Sequence, residues 1–225
     1  MNNKSMHKFH FTFDKTKKAR DLKKKILLNY KNYSAKKAHT IVVGGGDGYM
    51  LSSLKKYVKF KKPFYGINCG TYGFLMNSYL DIDLEKKILS SKKIDIKPLY
   101  VQVKTDKYIK KILAINEVSL FRQSRQTAST NIKIGNKVIL KKLISDGILV
   151  STPAGSTAYN LSVNGPVMSL NSKKLALTSI SPFRPRRWKG KIISNKQKVS
   201  IRNLDPLKRP IAAVADNVEI RNVKS

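Results

Sequence analysis

Regular spacing of hydrophobic and polar residues predicts alternating strands and helices in the first part of the chain. Phenylalanine alternates with polar residues over 8–13, the period-two pattern of a strand with one buried face. Apolar residues then recur at three- and four-residue steps over 19–33, which predicts an amphipathic helix with lysines outside. A strand at 40–43, a helix at 49–57 and a strand at 63–68 follow. This order is typical of an α/β domain with a parallel sheet.

The remainder of the chain has the short alternating segments of a β-rich domain. Residues 132–140 predict a hairpin whose two-residue turn is Gly135-Asn136. Further strands are predicted at 99–103, 109–115, 147–150, 198–202, 211–214 and 218–223. The change of pattern places a domain boundary near Lys97-Pro98. We therefore expect an α/β N-terminal domain with a parallel sheet over residues 1–97, and a β-rich, β-sandwich-like C-terminal domain over residues 98–225.

Length and composition fit a folded protein of one large or two small domains, with 225 residues of which 41% are hydrophobic. The single Cys69 excludes an internal disulfide and fits a reducing compartment. No apolar run approaches the length of a membrane span, and the lysine-rich N-terminus lacks the apolar stretch of a signal peptide. These features predict a cytoplasmic protein with no membrane partner.

The net charge of +33 raises the alternative of a basic nucleic-acid-binding protein. The basic residues are mostly lysine, and they are spread along the chain together with many asparagines and isoleucines, which indicates a codon bias. Arginine, whose fork recognises bases and phosphates, is scarce. We therefore expect no specific nucleic-acid partner, although the charge can concentrate anionic nucleotides near a site.

The most informative segment is the glycine run Gly44–Gly48, which follows the strand at 40–43 and precedes a helix. Glycines let the backbone turn sharply and approach a ligand, and free N–H groups at a helix start form a cradle for phosphates. Asp47 is the only side chain in the run, and a carboxylate beside phosphates suits proton abstraction or magnesium binding. The alternative is a tight turn without a ligand, in which Asp47 is the N-cap of the helix.

Another segment dense in functional groups runs from Asp146 to Tyr159. Its hydroxyls can donate and accept hydrogen bonds around a Pro-x-Gly turn, its small residues permit close backbone approach, and Tyr159 can stack on a ring. The polar pair Asn116-Glu117 ends another apolar strand. The alternatives are an ordinary turn leading to a capped helix, and a strand end that reaches solvent.

Together these segments resemble the NAD kinase family. The resemblance rests on four motifs in the family's order: Gly-Gly-Asp-Gly at 45–48, Gly-Thr-Tyr-Gly-Phe-Leu at 70–75, Asn-Glu at 116–117, and Asp-Gly at 146–147 followed by Ser-Thr-Pro-Ala-Gly-Ser-Thr-Ala-Tyr at 151–159. Residues 181–188 resemble the alphaproteobacterial form. The resemblance covers about residues 40 to 217.

The resemblance implies transfer of the γ-phosphoryl group of ATP to the 2′-hydroxyl of the adenosine ribose of NAD, giving NADP and ADP. Asp47 is the predicted catalytic base, since an alcohol nucleophile needs a carboxylate within hydrogen-bond reach. Gly45, Gly46 and Gly48 are the predicted phosphate-binding residues, with Mg²⁺ offsetting the repulsion from Asp47. We identify no metal-ligating set in the protein itself.

The resemblance also implies contacts to NAD and an assembly. Asp146 is expected at the nicotinamide end, Asn116 and Glu117 at the ribose and adenine, and Phe74 under the adenine. The predicted NAD-binding residues are Asp47, Gly48, Phe74, Asn116, Glu117, Asp146, Ala154, Thr157, Ala158, Tyr159, Asn160, Leu161 and Ser162. The active site is expected between the two domains, and a homodimer or homotetramer is expected because neighbouring subunits share contacts in the family.

The chain departs from the family pattern in two places. Asp216-Asn217 stands where many members have Asp-Gly, which makes Asp216 a secondary candidate. The sequence ends at Ser225, whereas members usually continue for a few more strands, so we expect the last strands to be lacking. A related lipid kinase of the diacylglycerol type is the nearest alternative, because it shares the glycine loop and the two-domain plan. Polyphosphate is an alternative phosphoryl donor.

Overall fold

The computed structural model describes residues 7–71, 73–79 and 83–225, which divide into two compact units, Met1–Lys93 and Ile94–Ser225. In the first unit the regular elements are β1 (Phe9–Phe13), α1 (Lys17–Asn29), β2 (Thr40–Gly45), α2 (Asp47–Tyr57), β3 (Phe64–Asn68) and α3 (Leu84–Leu89). In the second they are β4 (Leu99–Lys104), β5 (Ile109–Ala114), β6 (Glu117–Arg122), β7 (Ala128–Ile134), β8 (Lys137–Ser145), β9 (Gly147–Ser151), α4 (Tyr159–Ser162), β10 (Lys174–Ile180), β11 (Lys191–Ser194), β12 (Val199–Asn203), β13 (Ile211–Ala215) and β14 (Val218–Ile220). Single 3₁₀ turns lie at Val58–Phe60 and Ala154–Thr157.

The first unit is built on a parallel sheet with the strand order β1-β2-β3, as the alternation of strands and helices predicted. Phe9 and Phe11 point to one face, where they share a buried core with Leu22 and Ile26 of α1. The alternating phenylalanines therefore mark the face that α1 covers.

Helix α1 is shorter than its apolar spacing predicted. The Thr16 side chain caps its start by accepting a hydrogen bond from the N–H of Ala19. The helix ends at Asn29, and Tyr30 adopts extended backbone angles (φ −126°, ψ 131°). The prediction of a helix to Tyr33 was wrong at its C-terminal end. Tyr33 instead donates its N–H to the carbonyl of Phe9 and lies beside β1.

The predicted glycine loop is partly strand and partly helix. Gly44 and Gly45 belong to β2, and α2 begins at Asp47 rather than at Tyr49, with Gly46 as its N-cap. A Cβ at Gly44 would lie 2.6 Å from the Phe13 ring, so this strand position requires glycine. The alternative in which Asp47 caps the helix is wrong, because Asp47 is its first residue.

The second unit is strand-rich, as predicted. Its sheets have the orders β11-β10-β9-β6-β13-β14, β12-β7-β8 and β4-β5. Apolar side chains of the six-stranded and three-stranded sheets share one core, which includes Ile148 and Leu177 from the first and Ile132 and Leu143 from the second. This is the arrangement of a β-sandwich.

Some elements of the second unit were predicted and others were not. The hairpin of β7 and β8 is confirmed: Ile134 pairs with Lys137 around Gly135-Asn136, and Gly135 has a φ of +56°. Strands β6, β10 and β11 were missed, as was helix α3 of the first unit. Strand β10 is buried at every position but its first, so it lacks the alternation on which the prediction relied.

Asparagines cover both edges of the parallel sheet. The Asn32 side chain accepts from the N–H of Phe11 (2.9 Å) and donates to its carbonyl (3.2 Å) at the edge of β1. At the edge of β3, Asn77 donates its backbone N–H to Gly66 and accepts from the N–H of Asn68. Among the described helices, none has the length and apolar character needed to cross a membrane.

Candidate functional site

The carboxylate of Asp47 is held by two backbone groups in its own unit. Its Oδ2 accepts from the N–H of Phe74 (2.9 Å) and its Oδ1 accepts from the N–H of Leu75 (3.1 Å). A carboxylate offers about four lone-pair sites, so both oxygens can each accept one further hydrogen bond. Asp47 is thus fixed in orientation at the start of α2 while it keeps the capacity to take a proton.

Two of the three predicted phosphate-binding glycines face open space. Among the described residues, no heavy atom lies within 4 Å of the position that a Cβ would occupy at Gly46 or at Gly48. A Cβ at Gly45 would lie 2.9 Å from the ring of Tyr49. The backbone at Gly46 and Gly48 is therefore accessible to a ligand, whereas Gly45 is required by packing within the chain.

The segment that supports Asp47 is also exposed on its apolar side. Phe74 is 62% exposed although its N–H is bound to Asp47. An exposed aromatic ring next to a held carboxylate suits a flat ligand. Tyr72, which belongs to the same predicted motif, lies outside the described residues.

In the second unit, Asp216 holds the backbone of the Asn116-Glu117 pair. Its carboxylate accepts from the N–H groups of Ile115 (2.9 Å), Asn116 (2.9 Å) and Glu117 (3.4 Å). Asp216 has a φ of +51°, a conformation that Asp tolerates better than most residues. A residue about 100 positions away in sequence therefore orients the pair.

The side chains of that pair have unused acceptors. Asn116 Oδ1 and Glu117 Oε2 are buried, and neither has a hydrogen-bond partner within the described ranges. Burial, and secondarily the charge of Asp216, raises the pKa of Glu117 to about 7. Since buried polar atoms are normally hydrogen-bonded, these two acceptors indicate a ligand that donates to them.

Thr152 and Gly155 complete the support of Asn116, and sequence reasoning did not assign them a role. The Thr152 hydroxyl donates to the carbonyl of Ile115 (2.6 Å), and the Thr152 N–H donates to the carbonyl of Asn116 (2.8 Å). A Cβ at Gly155 would lie 2.2 Å from that same carbonyl oxygen. The available signal was the Ser-Thr-Pro-Ala-Gly run, whose small and hydroxylated residues permit close backbone contact.

The remaining predicted residues near Tyr159 divide into buried and accessible ones. Asn160 is fully buried; its Nδ2 donates to the carbonyls of Ser156 and Pro166 and its Oδ1 accepts from Thr178. Ala154 is buried and Thr157, Ala158 and Tyr159 are half-buried, while Leu161 and Ser162 are exposed.

Two further interactions orient the predicted aromatic and acidic residues of this unit. The Tyr159 ring lies 5.6 Å from that of Phe121, and burial raises the pKa of its hydroxyl, with smaller contributions from Asp146 and Glu117. Asp146 accepts from the Arg122 guanidinium at 2.5 Å, and both side chains remain more than a third exposed. Arg122 was not predicted as part of the site.

Within residues 7–71, 73–79 and 83–225, a resident metal ion has no evident ligand set. Across the described part of the chain, no three His, Cys, Asp or Glu side chains group as metal ligands. The described residues therefore do not fit a cage for Mg²⁺ that is built from protein ligands alone. Proteins usually bind this ion through one or two carboxylates together with the phosphates of a substrate.

The sequence matches known proteins over most of its length. The family model described as the ATP-NAD kinase C-terminal domain matches residues 115–222. A NAD kinase from Brucella melitensis biotype 1 is 46% identical over 217 residues, which cover 96% of this chain and 84% of that protein. A NAD kinase from Zymomonas mobilis is 44% identical over 212 residues, which cover 93% and 81% of the two chains.

Solved structures agree with the fold. An NAD kinase from Archaeoglobus fulgidus in complex with ATP superposes with a TM-score of 0.67 at 23% identity, covering 95% of this chain and 85% of that one. Yeast NADH kinase complexed with NADH gives a TM-score of 0.69 at 19% identity, covering 97% and 77%. This likeness confirms the predicted fold class, an α/β part followed by a strand-rich part. Because relatives that are 44–46% identical cover 93–96% of it, the chain belongs to the NAD kinase family, many of whose matching members are alphaproteobacterial.

Proposed function

We propose that the protein transfers the γ-phosphoryl group of ATP to the 2′-hydroxyl of the adenosine ribose of NAD, giving NADP and ADP. As a member of the NAD kinase family it is a phosphotransferase. The observation that carries the proposal is the held carboxylate of Asp47 beside the open backbone of Gly46 and Gly48. Nothing in the comparisons favours a lipid kinase or a nucleic-acid-binding protein.

In the proposed step, the 2′-hydroxyl oxygen forms a bond to the γ-phosphorus while the bond from that phosphorus to the β,γ-bridging oxygen breaks. Asp47 accepts the hydroxyl proton, and ADP leaves with the bridging oxygen. The N–H groups of Phe74 and Leu75 support the role by fixing the carboxylate before the reaction. Such a positioned base contributes roughly 10²- to 10⁴-fold to the rate.

The phosphates of the donor would lie against Gly46 and Gly48, where the N-terminus of α2 presents free N–H groups. Mg²⁺ would arrive with ATP as a substrate complex, because the described residues offer no protein-built cage. Gly45 was predicted in the same role. A Cβ at this position would lie 2.9 Å from the Tyr49 ring, so packing also requires a glycine here.

NAD recognition is proposed for the second unit. Asn116 Oδ1 and Glu117 Oε2 are buried acceptors, so they suit ribose hydroxyls or the amino group of adenine. The roles of Phe74, Asp146, Ala154, Thr157, Ala158, Tyr159, Asn160, Leu161 and Ser162 in NAD binding stay predictions. So do a homodimer or homotetramer, a cytoplasmic location, and an active site between the two domains.

The direct test is NADP formation by the purified 225-residue chain with NAD, Mg²⁺ and either ATP or polyphosphate. Product with ATP above a control without enzyme supports the proposal. Product formed with polyphosphate but not with ATP would mean that polyphosphate is the phosphoryl donor. A folded chain that binds NAD but makes no product with either donor would contradict the activity.

The Asp47→Asn variant tests the role of the base. We expect its kcat to fall at least about 100-fold, because Asn cannot accept the proton. The dissociation constant for NAD should stay within a few-fold, as should that of the matched control Asp21→Asn, whose side chain is exposed on α1. Full activity in Asp47→Asn would remove Asp47 from the mechanism.

A further inference from the structure

A cavity of about 620 Å³ lies in the second unit, between strand β11 and the hairpin of β7 and β8. Its apolar lining consists of the isoleucines Ile134, Ile139, Ile192 and Ile193. Among the described strands, β11 is hydrogen-bonded to β10 alone and β8 to β7 alone. The cavity is therefore bordered by the last strand of each of two sheets, where a further strand can be added.

The outer edge of β11 presents backbone groups beside this cavity. The N–H of Asn195, just after the strand, donates to the carbonyl of Lys173. In an antiparallel ladder this bond turns the backbone of the preceding residue, Ser194, to the outer edge, and alternation turns that of Ile192 outward as well. In agreement, the Ser194 N–H donates to the Gln197 side chain (3.3 Å) rather than to β10. Ile192, whose side chain is exposed, thus offers an N–H and a carbonyl to a strand placed beside it.

The charges around the cavity all have the same sign. The lysines that line it are Lys137, Lys173, Lys174 and Lys191, and all four are exposed. Within the part of the chain that the structure describes, no aspartate or glutamate lines the cavity, and none forms an ion pair with these lysines. Cations around an apolar surface suit a ligand that carries both carboxylates and apolar side chains.

We propose that this cavity is a docking site for an extended acidic segment of a partner protein, which adds to the edge of β11. Main-chain hydrogen bonds to Ile192 hold the added strand, its apolar side chains contact the isoleucines, and its carboxylates pair with the lysines. Lysines at a sheet edge discourage most added strands, but they favour one that carries acids. None of the residues around the cavity was assigned to the proposed reaction.

Charge also disfavours a second copy of this chain as the occupant. Each copy has a net charge of +33 and would bring its own lysines to the contact. Like charges placed opposite each other cost free energy at an interface, whereas an acidic segment offsets the charge of the lysines. The partner is therefore expected to differ from this chain.

The test is calorimetric binding of a synthetic octapeptide, blocked at both ends, in which glutamate and valine alternate. The double variant Lys174→Glu, Lys191→Glu reverses two charges at the cavity, so we expect its dissociation constant to be at least about tenfold higher than that of the wild type. The matched control Lys110→Glu, Lys111→Glu changes the net charge equally at exposed positions of β5 outside the cavity, and it should bind like the wild type. Equal affinities in the two double variants would overturn the site.

N-methylation of the peptide tests the addition to β11. Neighbouring residues of a strand turn their N–H groups to opposite edges, and one edge of the added strand faces β11. Methylation of all valine amides or of all glutamate amides should therefore differ in effect: one peptide should lose at least about tenfold in affinity, while the other stays within about threefold. Equal losses for the two methylated peptides would overturn the pairing.

Three further probes distinguish other occupants. A peptide of alternating glutamate and serine keeps the charge but lacks the apolar side chains, so it should bind at least about tenfold more weakly; equal binding would reduce the site to charge attraction and overturn the proposal. Tighter binding of an eight-nucleotide single-stranded DNA, lost in Lys174→Glu, Lys191→Glu, would assign the cavity to nucleic acid instead. A self-associated chain that the glutamate–valine peptide separates into monomers would assign it to a second copy.

Discussion

The glycine run Gly44–Gly48 in the first unit and the segment 151–159 in the second unit are similar in sequence, since both are made of small residues after a strand. In structure they are opposites. A Cβ at Gly46 would meet no atom of the described part of the chain within 4 Å, whereas a Cβ at Gly155 would lie 2.2 Å from the Asn116 carbonyl. The first run packs closely at Gly44 and Gly45 but leaves room beside its backbone at Gly46 and Gly48, whereas the segment 151–159 lets two parts of the chain touch at Gly155.

The hydroxyls of the segment 151–159 also make contacts within the chain. The single proton of the Ser156 hydroxyl faces the carbonyls of Pro153 (2.7 Å) and Met168 (3.2 Å), and its oxygen accepts from the N–H of Met168. The Thr152 hydroxyl donates to the carbonyl of Ile115. These groups hold the backbone, whereas the buried acceptors Asn116 Oδ1 and Glu117 Oε2 have no hydrogen-bond partner among the described residues. Small residues therefore border open space at Gly46 in one unit and permit close backbone contact at Gly155 in the other.

The largest expected effect comes from Gly155→Ala. The new methyl group would overlap the carbonyl of Asn116, so the backbone must shift, and we expect a loss of about 3 kcal/mol in the free energy of unfolding. Urea denaturation measures it. A loss below about 0.5 kcal/mol would mean that the close contact is not required, and the contrast between the two segments would fail.

Asp216→Asn should have the next largest effect. The variant keeps one oxygen as an acceptor but turns an amino group toward backbone N–H donors, which we expect to cost about 2 kcal/mol of stability. NAD affinity should fall as well, because the Asn116-Glu117 backbone loses its orientation. Asp95→Asn, at an exposed position, serves as the control for stability. Unchanged stability of Asp216→Asn with weakened NAD binding would assign Asp216 to ligand contact instead.

Glu117→Gln should change the pH dependence of stability. The pKa of Glu117 is raised to about 7, so between about pH 4.5 and 7 the native state binds more protons than the unfolded state. Its contribution to stability is full below about pH 4.5 and is lost as the pH rises through about 7. After allowance for solvent screening, we expect the variant to be more stable than the wild type by about 1 kcal/mol at pH 8 and nearly equal at about pH 5. Unfolding curves of both proteins at both pH values measure this. If Glu117 were already ionised at the lower pH, the difference in stability between the variant and the wild type would be the same at both.

Gly46→Ala should affect stability least. Its backbone angles (φ −106°, ψ −178°) suit any residue, and the loss of a favourable N-cap is offset by the lower entropy of the unfolded chain, so we expect a change below about 0.5 kcal/mol. The KM for ATP should rise, because the methyl group takes the space proposed for phosphate. Steady-state kinetics of this variant, measured together with Gly155→Ala, would distinguish the glycine at an open position from the glycine at a packed one. An unchanged KM for ATP would contradict the proposal that phosphate occupies the space at Gly46.

Local patterns predicted what local interactions determine. The strand of alternating phenylalanines, β1, and the Gly135-Asn136 turn could be predicted from the sequence, because each depends on neighbours a few residues away. The hold of Asp216 on Asn116-Glu117 joins residues about 100 positions apart, and only the folded sheet brings β13 beside β6. Openness at Gly46 and closeness at Gly155 also depend on packing, since the residue type is the same.

The asparagines at the two edges of the parallel sheet have a consequence for the chain before it is complete. A three-stranded sheet with bare edges would invite strands of other molecules to add, the first step toward aggregation. Asn32 and Asn77 occupy backbone groups at which such a strand would begin. Since the first unit leaves the ribosome ahead of the second, these two residues would shield it from other nascent chains while synthesis continues.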